Sequence, residues 1–286
     1  MTAEPLPSLE QLISQTSSIS SPPLIYNRLN DAINHPRTSI KDIAHIISED
    51  PGLTARILKL ANSSLYGMSN VYSISRAVTL IGTREMRDLS LAVSMMQVFP
   101  GISEDLLNMS MYWQHSVACG IVARNIGIFL REISVERLFV AGILHDIGQL
   151  VMCTLIPETV KKMVFQNAEQ REPLCAIEKG CLGFDHAQLG GALLHSWNIP
   201  QNITDLVIGH HAPSRAEKYP RETTIIHLAD IICQALGNGT SAETYIPWFD
   251  KDAYEKLNLL TGDIETIVKQ SELQLKDIFT IMQQGI

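Results

Sequence analysis

Apolar residues recur at three- and four-residue spacing along most of this chain, and no group of segments sustains the strict alternation expected of strands. The segment TSIKDIAHIISEDP shows the pattern: Ile40, Ile43 and Ile47 fall on one face of a helix. Ser39 is the predicted N-cap of that helix, and Pro51 lies just beyond its end. The spacing therefore predicts an all-α protein in which helices pack on helices.

The same periodicity predicts a series of helices separated by polar and helix-breaking residues. They lie near 39–48, 52–67, 73–82, 84–99, 106–130, 135–152, 157–170, 186–196, 200–211, 221–237 and 262–283. Thr83 is a candidate N-cap between the third and the fourth. The segment PGISED (100–105) interrupts the pattern, which predicts an N-terminal helical subdomain over 1–105 and a second helical part over 106–286.

The composition fits a packed globule, since 45% of the 286 residues are hydrophobic and 18% are charged. The net charge of −8 argues against a broad nucleic-acid surface, so we expect no nucleic acid partner. Five cysteines, an odd number with no C-x-x-C pair, are typical of reduced thiols in a cytoplasmic protein. The first residues do not resemble a signal peptide and no run of 18 apolar residues occurs, so we expect no membrane span.

Histidines are concentrated in one part of the chain: seven of the nine lie between residues 115 and 227, in or beside apolar helical segments. In LHDIGQL, His145 and Asp146 are adjacent, and His210 and His211 form a second pair. Neighbours on a helix diverge by about 100°, so each pair can reach two nearby ions, or one ion and its surroundings. Asp230 is a further carboxylate within an apolar segment, IIHLADIICQ.

This pattern predicts a metal site, because buried polar groups need partners and because imidazole and carboxylate groups are ligands of transition metals. The candidate ligands are His115, His145, Asp146, His186, His210, His211 and Asp230. They would suit one or two divalent ions of iron, manganese, nickel or zinc. If two bind, Asp146 is the candidate bridge and holds a metal-activated water. The alternative is a hydrogen-bonded polar core without an ion.

The other polar residues of these helices are predicted to have ordinary structural roles. His195, near a helix end, is interpreted as a packing residue, and His227 lies three residues before Asp230 and could orient it. His35 and His45 are expected at the surface or in caps. The cysteines of apolar helices, Cys119, Cys153 and Cys233, are interpreted as small core residues.

The N-terminal half resembles the HDOD family, a bacterial signalling relative of the HD-GYP proteins, and the HD superfamily of metal-dependent phosphohydrolases includes both. The motif DP-x-L-x-x-x-x-L-x-x-x-N-S consists of Asp50, Pro51, Leu53, Leu58, Asn62 and Ser63. The segments LPSLEQL and SISRAVTLIGTREMRDLSL also match, and the resemblance covers roughly residues 6–275. It implies an HD-superfamily helical domain with an additional N-terminal helical subdomain.

The resemblance also assigns the metal ligands of HD-GYP phosphodiesterases, which open cyclic di-GMP, to this chain. The first-helix histidine falls on His115, the HD dyad on His145 and Asp146, the following histidine on His186, the paired histidines on His210 and His211, and the last aspartate on Asp230. Three positions depart from those enzymes. Gln149 replaces a lysine that can meet a substrate phosphate, Ala212 replaces a glutamate, and Met111 stands where some enzymes have another carboxylate ligand.

These departures decide between the functions that the resemblance implies. HDOD proteins are usually described as regulatory modules, so we expect a bacterial, cytoplasmic signalling protein that acts through contacts with partner proteins and whose metal site is structural or sensory. The alternative is a metal-dependent phosphohydrolase that acts on a nucleotide or another phosphate ester, with cyclic di-GMP a weaker choice. Either function is compatible with a phosphate-containing ligand, but the sequence identifies no cation beside the site to orient one.

Overall fold

The computed structural model of the protein describes residues 6–16, 23–96, 98–99, 101–240, 242–243 and 245–283. Over those ranges it contains sixteen α-helices, one short 3-10 turn at Pro213–Arg215 and no strand, which confirms the predicted all-α class. Helices α1 to α16 cover Leu9–Thr16, Leu24–Asn34, Ile40–Ser48, Pro51–Ala61, Ile74–Ile81, Thr83–Met95, Met109–Phe129, Val135–Leu144, Ile147–Leu155, Pro157–Gln170, Leu174–Leu182, His186–Ser196, Gln201–Gly209, Pro220–Ala235, Lys251–Glu255 and Thr261–Gln283.

Side-chain caps begin several of these helices where the sequence suggests them. Ser39 and Asp42 form a reciprocal capping box at the start of α3, as predicted for Ser39. Asp50 caps α4, and Pro51 is the first residue of that helix because its missing N–H costs nothing at this position. The predicted cap at Thr83 is wrong: Thr83 is already helical, and Gly82 precedes it with a positive φ of 108°.

The main correction concerns the segment predicted as one helix over 135–152. The structure has two helices there, α8 and α9, and His145 and Asp146 lie in the break between them. The imidazole Nδ1 of His145 lies 2.7 Å from the carbonyl oxygen of Gly142 and satisfies one of the last carbonyls of α8. The backbone of Asp146 then leaves helical geometry, with φ −99° and ψ 10°. Four helices, α1, α2, α11 and α15, were not predicted.

Helix α7 lies at the centre of the fold, with α8, α14 and α16 packed along it. Every residue of α7 from His115 to Gly127 is buried. Helix α12 packs on both α9 and α13, so the helices that carry the predicted ligands surround one region. Packing also crosses the predicted boundary near residue 105, because α6 contacts α8, α4 contacts α16, and α1 contacts α9 and α12.

Glycines allow the helices around this region to approach closely. A Cβ added at Gly142 on α8 would lie 2.7 Å from the Cα of Gly120 on α7, a separation that real Cβ atoms do not reach. A Cβ at Gly148 on α9 would fall on the carbonyl oxygen of His186 at the start of α12. Backbone-to-backbone packing at these two crossings therefore sets the distances between the side chains that follow.

The stretch Val135–Leu155, which contains α8 and α9, is long and apolar enough by length and composition alone to cross a membrane. The expectation of no membrane span stays a prediction: it rested on the absence of an unbroken apolar run, and His145, Asp146 and Gln149 interrupt this stretch. Within the protein, 89% of the most apolar 18 residues of this stretch are buried. Such burial is typical of helices at the centre of a globular core.

Candidate metal centre

The side chains of all seven predicted ligands meet in one buried region. His115 comes from the second turn of α7 and Asp230 from the middle of α14, while His186 is the first residue of α12. The two adjacent pairs both lie at helix ends: His145 and Asp146 follow α8, and the other pair, His210–His211, follows α13. Six of the seven residues are at most 2% exposed, and His211 is partly exposed.

The first of two groups of ligand atoms lies between α7, α8 and α14. It consists of His115, Cys119, His145 and Asp230, whose ligand atoms all lie within 4.8 Å of one another. The Oδ1 atom of Asp230 is 3.2 Å from Nε2 of His115 and 3.8 Å from Nε2 of His145. The thiol of Cys119, which the sequence interpretation placed in the apolar core, is 3.5 Å from Nε2 of His115.

The second group lies between the start of α12, the break between α8 and α9, and the end of α13. It consists of Asp146, His186, His210 and His211, again within 4.8 Å of one another. The Oδ1 atom of Asp146 is 3.2 Å from Nε2 of His186 and 3.7 Å from Nε2 of His210. The Nε2 atoms of His186 and His211 are 2.7 Å apart.

Asp146 lies between the two groups and presents one carboxylate oxygen to each. Its Oδ2 atom is 3.2 Å from Nε2 of His145 and 3.8 Å from Nε2 of His115, while Oδ1 faces the second group. A carboxylate placed in this way can contact two cations at once. The geometry is therefore compatible with the bridging role predicted for Asp146.

Three imidazoles are held by their Nδ1 atoms, which leaves Nε2 facing the centre. The Nδ1 atoms of His145 and His210 are each 2.7 Å from a carbonyl oxygen, that of Gly142 and that of Val207. Because a carbonyl only accepts, each Nδ1 carries a proton, which leaves Nε2 as the atom that can bind a cation. The Nδ1 atom of His186 is likewise 2.6 Å from the carboxylate of Glu178. Partners of this kind orient the imidazole ligands of metal ions.

Unpaired nitrogen atoms in the centre provide the test of whether a metal fits. Nε2 of His145, Nε2 of His210 and Nδ1 of His211 are buried and have no hydrogen-bond partner among the described residues. Leaving such atoms unsatisfied costs about 1–3 kcal/mol each, which favours a bound metal ion over a hydrogen-bonded polar core. Two imidazole Nε2 atoms converging with carboxylate oxygens match the ligand set of a divalent transition metal.

Without a cation, the carboxylates draw protons into the centre. Burial lowers the pKa of His145, but Asp146 and Asp230 outweigh this effect and bring it to about 9. Burial also opposes the charged form of His186, yet Glu178 and Asp146 hold its pKa well above the ordinary value. A divalent cation would take the place of these protons, so metal binding is expected to release them.

The pKa values of the paired histidines, His210 and His211, shift in the opposite direction. Burial lowers the pKa of His210 and of His211 well below the ordinary range, and neighbouring imidazoles add to the effect. Burial would raise the pKa of Asp146, but His145 and His186 reverse the shift and hold it well below the usual value. A neutral imidazole and an ionised carboxylate are the forms that bind metal ions.

Sequence reasoning missed two residues of this centre. Cys119 lies four residues after His115, a spacing that places both on one helix face, so the i,i+4 pattern could have identified it. Glu178, which is 2% exposed, accepts hydrogen bonds from both the backbone nitrogen and Nδ1 of His186. No local pattern in the sequence connects Glu178 with His186.

The remaining histidines lie outside the centre. Nδ1 of His227 donates to the carbonyl oxygen of His210, and its Nε2 accepts from the backbone nitrogen of Asp250, so it fixes the backbone of a ligand rather than the carboxylate of Asp230. His195 is exposed, so its interpretation as a packing residue is wrong. His35 and His45 are exposed, as predicted.

A cavity of about 350 Å³ lies beside the paired histidines. Gly209 and Ala212, which flank His210–His211 in the chain, form part of its wall, and so do Arg215 and Lys218. Asp205 and Glu217 also contribute to the wall, so the cavity carries both signs of charge. Arg215 and Lys218 thus share a cavity with the chain neighbours of the paired histidines, although none of the proposed ligands lines it.

The three residues that depart from the HD-GYP pattern, Gln149, Ala212 and Met111, lie in three different environments. Gln149 is 4% exposed, and its Oε1 atom has no hydrogen-bond partner among the described residues. Ala212 lies on the cavity wall, and Met111 is 43% exposed, so its side chain does not enter the centre. The buried amide of Gln149 carries no charge that could neutralise a phosphate.

The model of the HDOD domain family matches residues 19–213. An uncharacterized protein of Treponema pallidum (strain Nichols) is 26% identical over 215 residues, which are 74% of this chain and 41% of that relative. This chain therefore spans about two fifths of the length of the curated relative it matches.

Solved structures share the fold at low sequence identity. An HDOD domain protein of unknown function from Geobacter sulfurreducens is 24% identical, with a TM-score of 0.73, over 96% of this chain and 97% of that one. A Shewanella amazonensis SB2B protein named as a candidate metal-dependent phosphohydrolase is 21% identical, with a TM-score of 0.71, over 96% and 98%. A candidate signal transduction protein of Marinobacter aquaeolei VT8 is 18% identical, with a TM-score of 0.70, over 99% and 63%.

Proposed function

We propose that this chain, which belongs to the HDOD domain family, is a bacterial cytoplasmic signalling protein that acts through contacts with partner proteins and holds one or two divalent transition-metal ions in its HD-like core. The observation that carries the metal site is the pair of ligand groups on either side of Asp146, with unpaired Nε2 atoms of His145 and His210 facing them. The cation would be structural or sensory. Its ligands would come from α7 and α14, from the residues that follow α8 and α13, and from the first residue of α12.

The ligand types limit which ions fit. The proposed ligands in the two groups are imidazoles and carboxylates, a set that suits iron, manganese, nickel or zinc. When bound, such an ion supplies an electrophile that lowers the pKa of a water on it. The chain's own contribution is to hold neutral imidazoles and ionised carboxylates in place, and Glu178 fixes His186 for that purpose.

The surroundings of the centre favour signalling over turnover. A phosphate ester needs cations or amide donors to orient it as well as metal ions. At the position where HD-GYP enzymes have a lysine, Gln149 is neutral and buried. The glutamate of their paired-histidine segment is Ala212 in this chain.

One observation supports the second candidate function, a metal-dependent phosphohydrolase. Arg215 and Lys218 share a cavity with Gly209 and Ala212, directly beside the paired histidines. The two cationic side chains could orient a phosphate-containing ligand in this cavity, and Arg is suited to bidentate contacts with phosphate. The acidic residues Asp205 and Glu217 on the same wall oppose an anion.

Metal quantification on the full chain tests the proposal. Wild-type protein, His145→Ala and Asp146→Ala are reconstituted with Fe, Mn, Ni or Zn, freed of excess ions and analysed for metal. The exposed His195→Ala variant is the matched control. We expect near-stoichiometric metal in wild type and control, and loss in the other two variants. Wild-type protein that retains no metal would leave only the hydrogen-bonded polar core.

The same samples separate the two candidate functions. We expect no turnover of a panel of phosphomonoesters and phosphodiesters by the metal-loaded protein. A metal-dependent kcat of order 1 s⁻¹ or above, abolished by Asp146→Ala and lowered by Arg215→Ala, would establish the phosphohydrolase instead.

A further inference from the structure

We infer that Cys119 supplies a thiolate ligand to an ion bound in the first group, so that the two metal sites differ in chemical type. The inference rests on the proposed metal site and goes beyond it, because the seven ligands proposed above contain no sulfur. It makes the first group His₂CysAsp, with the Oδ2 atom of Asp146 facing it, while the second group remains His₃Asp.

The first argument is the position of Cys119 on its helix. Cys119 follows His115 by four residues on α7, so both side chains lie on the same face, one turn apart. Its Sγ atom is 3.5 Å from Nε2 of His115. This spacing allows a single helix to contribute two ligands to one ion, as neither adjacent pair of the chain can do on a regular helix.

The second argument is the distances between ligand atoms. A tetrahedral zinc site with bonds of about 2.3 Å to sulfur and about 2.0–2.1 Å to nitrogen or oxygen has edges of about 3.5 Å and about 3.3 Å. The sulfur-to-nitrogen edge from Cys119 to His115 is 3.5 Å. The oxygen-to-nitrogen edges from Asp230 are 3.2 Å to His115 and 3.8 Å to His145. Two of these three edges match a tetrahedral site, and the edge from Asp230 to His145 is longer by about 0.5 Å.

The third argument is the unpaired nitrogen atom that faces the same point. Among the described residues, Nε2 of His145 makes no hydrogen bond although Oδ2 of Asp146 lies 3.2 Å away, and the other nitrogen of the ring is fixed by Gly142. This Nε2 atom and the thiol of Cys119 belong to the same four-residue group. An ion at the centre of the group would engage both.

The other buried cysteines distinguish this role from simple packing. Cys153 and Cys233 are also buried in apolar helices, as a core cysteine would be. Cys233 on α14 lies next to Cys119, yet neither it nor Cys153 belongs to either ligand group. Burial alone therefore does not place a thiol among the imidazoles, whereas the position of Cys119 does.

A thiolate changes the metal preference of the first site. Soft sulfur ligands favour zinc or cobalt over manganese, which prefers oxygen. When the ion binds, Cys119 gives up its thiol proton to solvent and a metal–sulfur bond forms, because a coordinating thiol is deprotonated. The second site, without sulfur, would accept a wider range of ions.

Cobalt(II) titration of the metal-free full chain is the experiment. A thiolate bound to cobalt gives an intense near-ultraviolet charge-transfer band that imidazole and carboxylate ligands do not give. We expect the band in wild type and in Cys233→Ser and Cys153→Ser, but not in Cys119→Ser. The Cys119→Ser variant should still bind cobalt at the second site, with at least a 10- to 100-fold loss of affinity at the first.

Each other outcome is decisive. Wild-type protein that binds cobalt without the band would overturn the role of Cys119 and leave the metal site intact, whereas no cobalt binding at all would remove the proposed metal site itself. Persistence of the band in Cys119→Ser would also overturn the inference. Should that variant fail to fold, X-ray absorption on zinc-loaded wild type decides, through the presence or absence of a zinc–sulfur distance of about 2.3 Å.

Discussion

The carboxylate of Glu178 accepts hydrogen bonds from both the backbone nitrogen and the imidazole Nδ1 of His186, at 2.8 Å and 2.6 Å. It thereby ties α11 to the first residue of α12 and points Nε2 of His186 at Asp146, 3.2 Å away. A carboxylate that fixes the tautomer of an imidazole in this way also raises its basicity as a ligand.

Replacing Glu178 should therefore weaken the second metal site without removing a ligand. We expect Glu178→Ala to lower metal affinity there by about 10- to 100-fold. Glu178→Gln should lower it less, because its amide oxygen still accepts from Nδ1. Competition with a chromophoric chelator measures the affinity, and Glu169→Ala, an exposed substitution on α10, is the control. Equal effects of the Ala and Gln variants would argue against an orienting hydrogen bond.

Asp146 and Asp230 should differ in how many ions they control. Asp146 presents an oxygen to each group, whereas the Oδ1 atom of Asp230 lies near His115 and His145 of the first group and accepts a hydrogen bond from Gln234. We expect Asp146→Ala to lose both ions and Asp230→Ala to lose one. Elemental analysis of zinc-loaded variants gives the two stoichiometries. Retention of one full equivalent by Asp146→Ala would show that Asp146 does not bridge.

The crossing of α9 and α12 should not tolerate a methyl group. An alanine Cβ at Gly148 would fall on the carbonyl oxygen of His186, so the backbones must separate. We expect Gly148→Ala to lower the free energy of unfolding by about 1–3 kcal/mol or more, and to weaken metal binding because Asp146 and His186 move apart. Urea unfolding measures the first effect.

Gly180 provides the control for that substitution. It lies on α11, is exposed, and has nothing within 4 Å of an added Cβ. Gly180→Ala should raise stability by up to about 1 kcal/mol, because alanine is the better helix former. Similar losses in both variants would point to a general cost of substitution instead of the α9–α12 contact.

Glu243 should make stability fall as the pH rises towards neutrality. Burial raises its pKa from 4.5 to about 7, although its carboxylate accepts hydrogen bonds from the backbone nitrogen of Leu174 and the amide of Asn167. A raised folded-state pKa means that the stabilising contribution is complete below about pH 4.5 and is lost as the pH passes through 7.

Comparison with Glu243→Gln isolates this effect. Relative to the variant, wild-type protein should lose about 1–2 kcal/mol of unfolding free energy between pH 4.5 and 7, a value reduced for solvent screening at a partly exposed position. Chemical denaturation at several pH values, with both proteins metal-free, gives the difference. Parallel pH profiles would show that Glu243 titrates normally.

The sequence predicted most of the ligand set because burying a polar side chain in an apolar helix has a cost that needs a reason. Asp230 is the clearest case, since it stands in a segment of apolar residues and now faces His115. Helix positions were likewise predictable, because apolar spacing and caps such as Ser39 are local.

Two kinds of feature could not be predicted from the sequence. Some depend on contacts between residues far apart in the chain, and others leave the apolar spacing unchanged. The apolar periodicity continues across His145 and Asp146, so nothing local marks the break between α8 and α9. A buried cysteine is equally compatible with core packing, so the i,i+4 spacing of Cys119 to His115 indicates a shared helix face but does not by itself indicate a ligand. The contact of Glu178 with His186 depends on how α11 meets α12, a tertiary property.

The hydrogen bonds from Nδ1 of His145 and His210 to carbonyls of their own helices make the centre rigid before any ion arrives. These imidazoles need not lose rotational entropy on binding, because the folded backbone has already removed it. Small zinc domains need the ion in order to fold. In this protein the large apolar core drives folding, and the ion would only replace protons on the nitrogen ligands. Metal release would therefore change the charge at the middle of the protein far more than its shape.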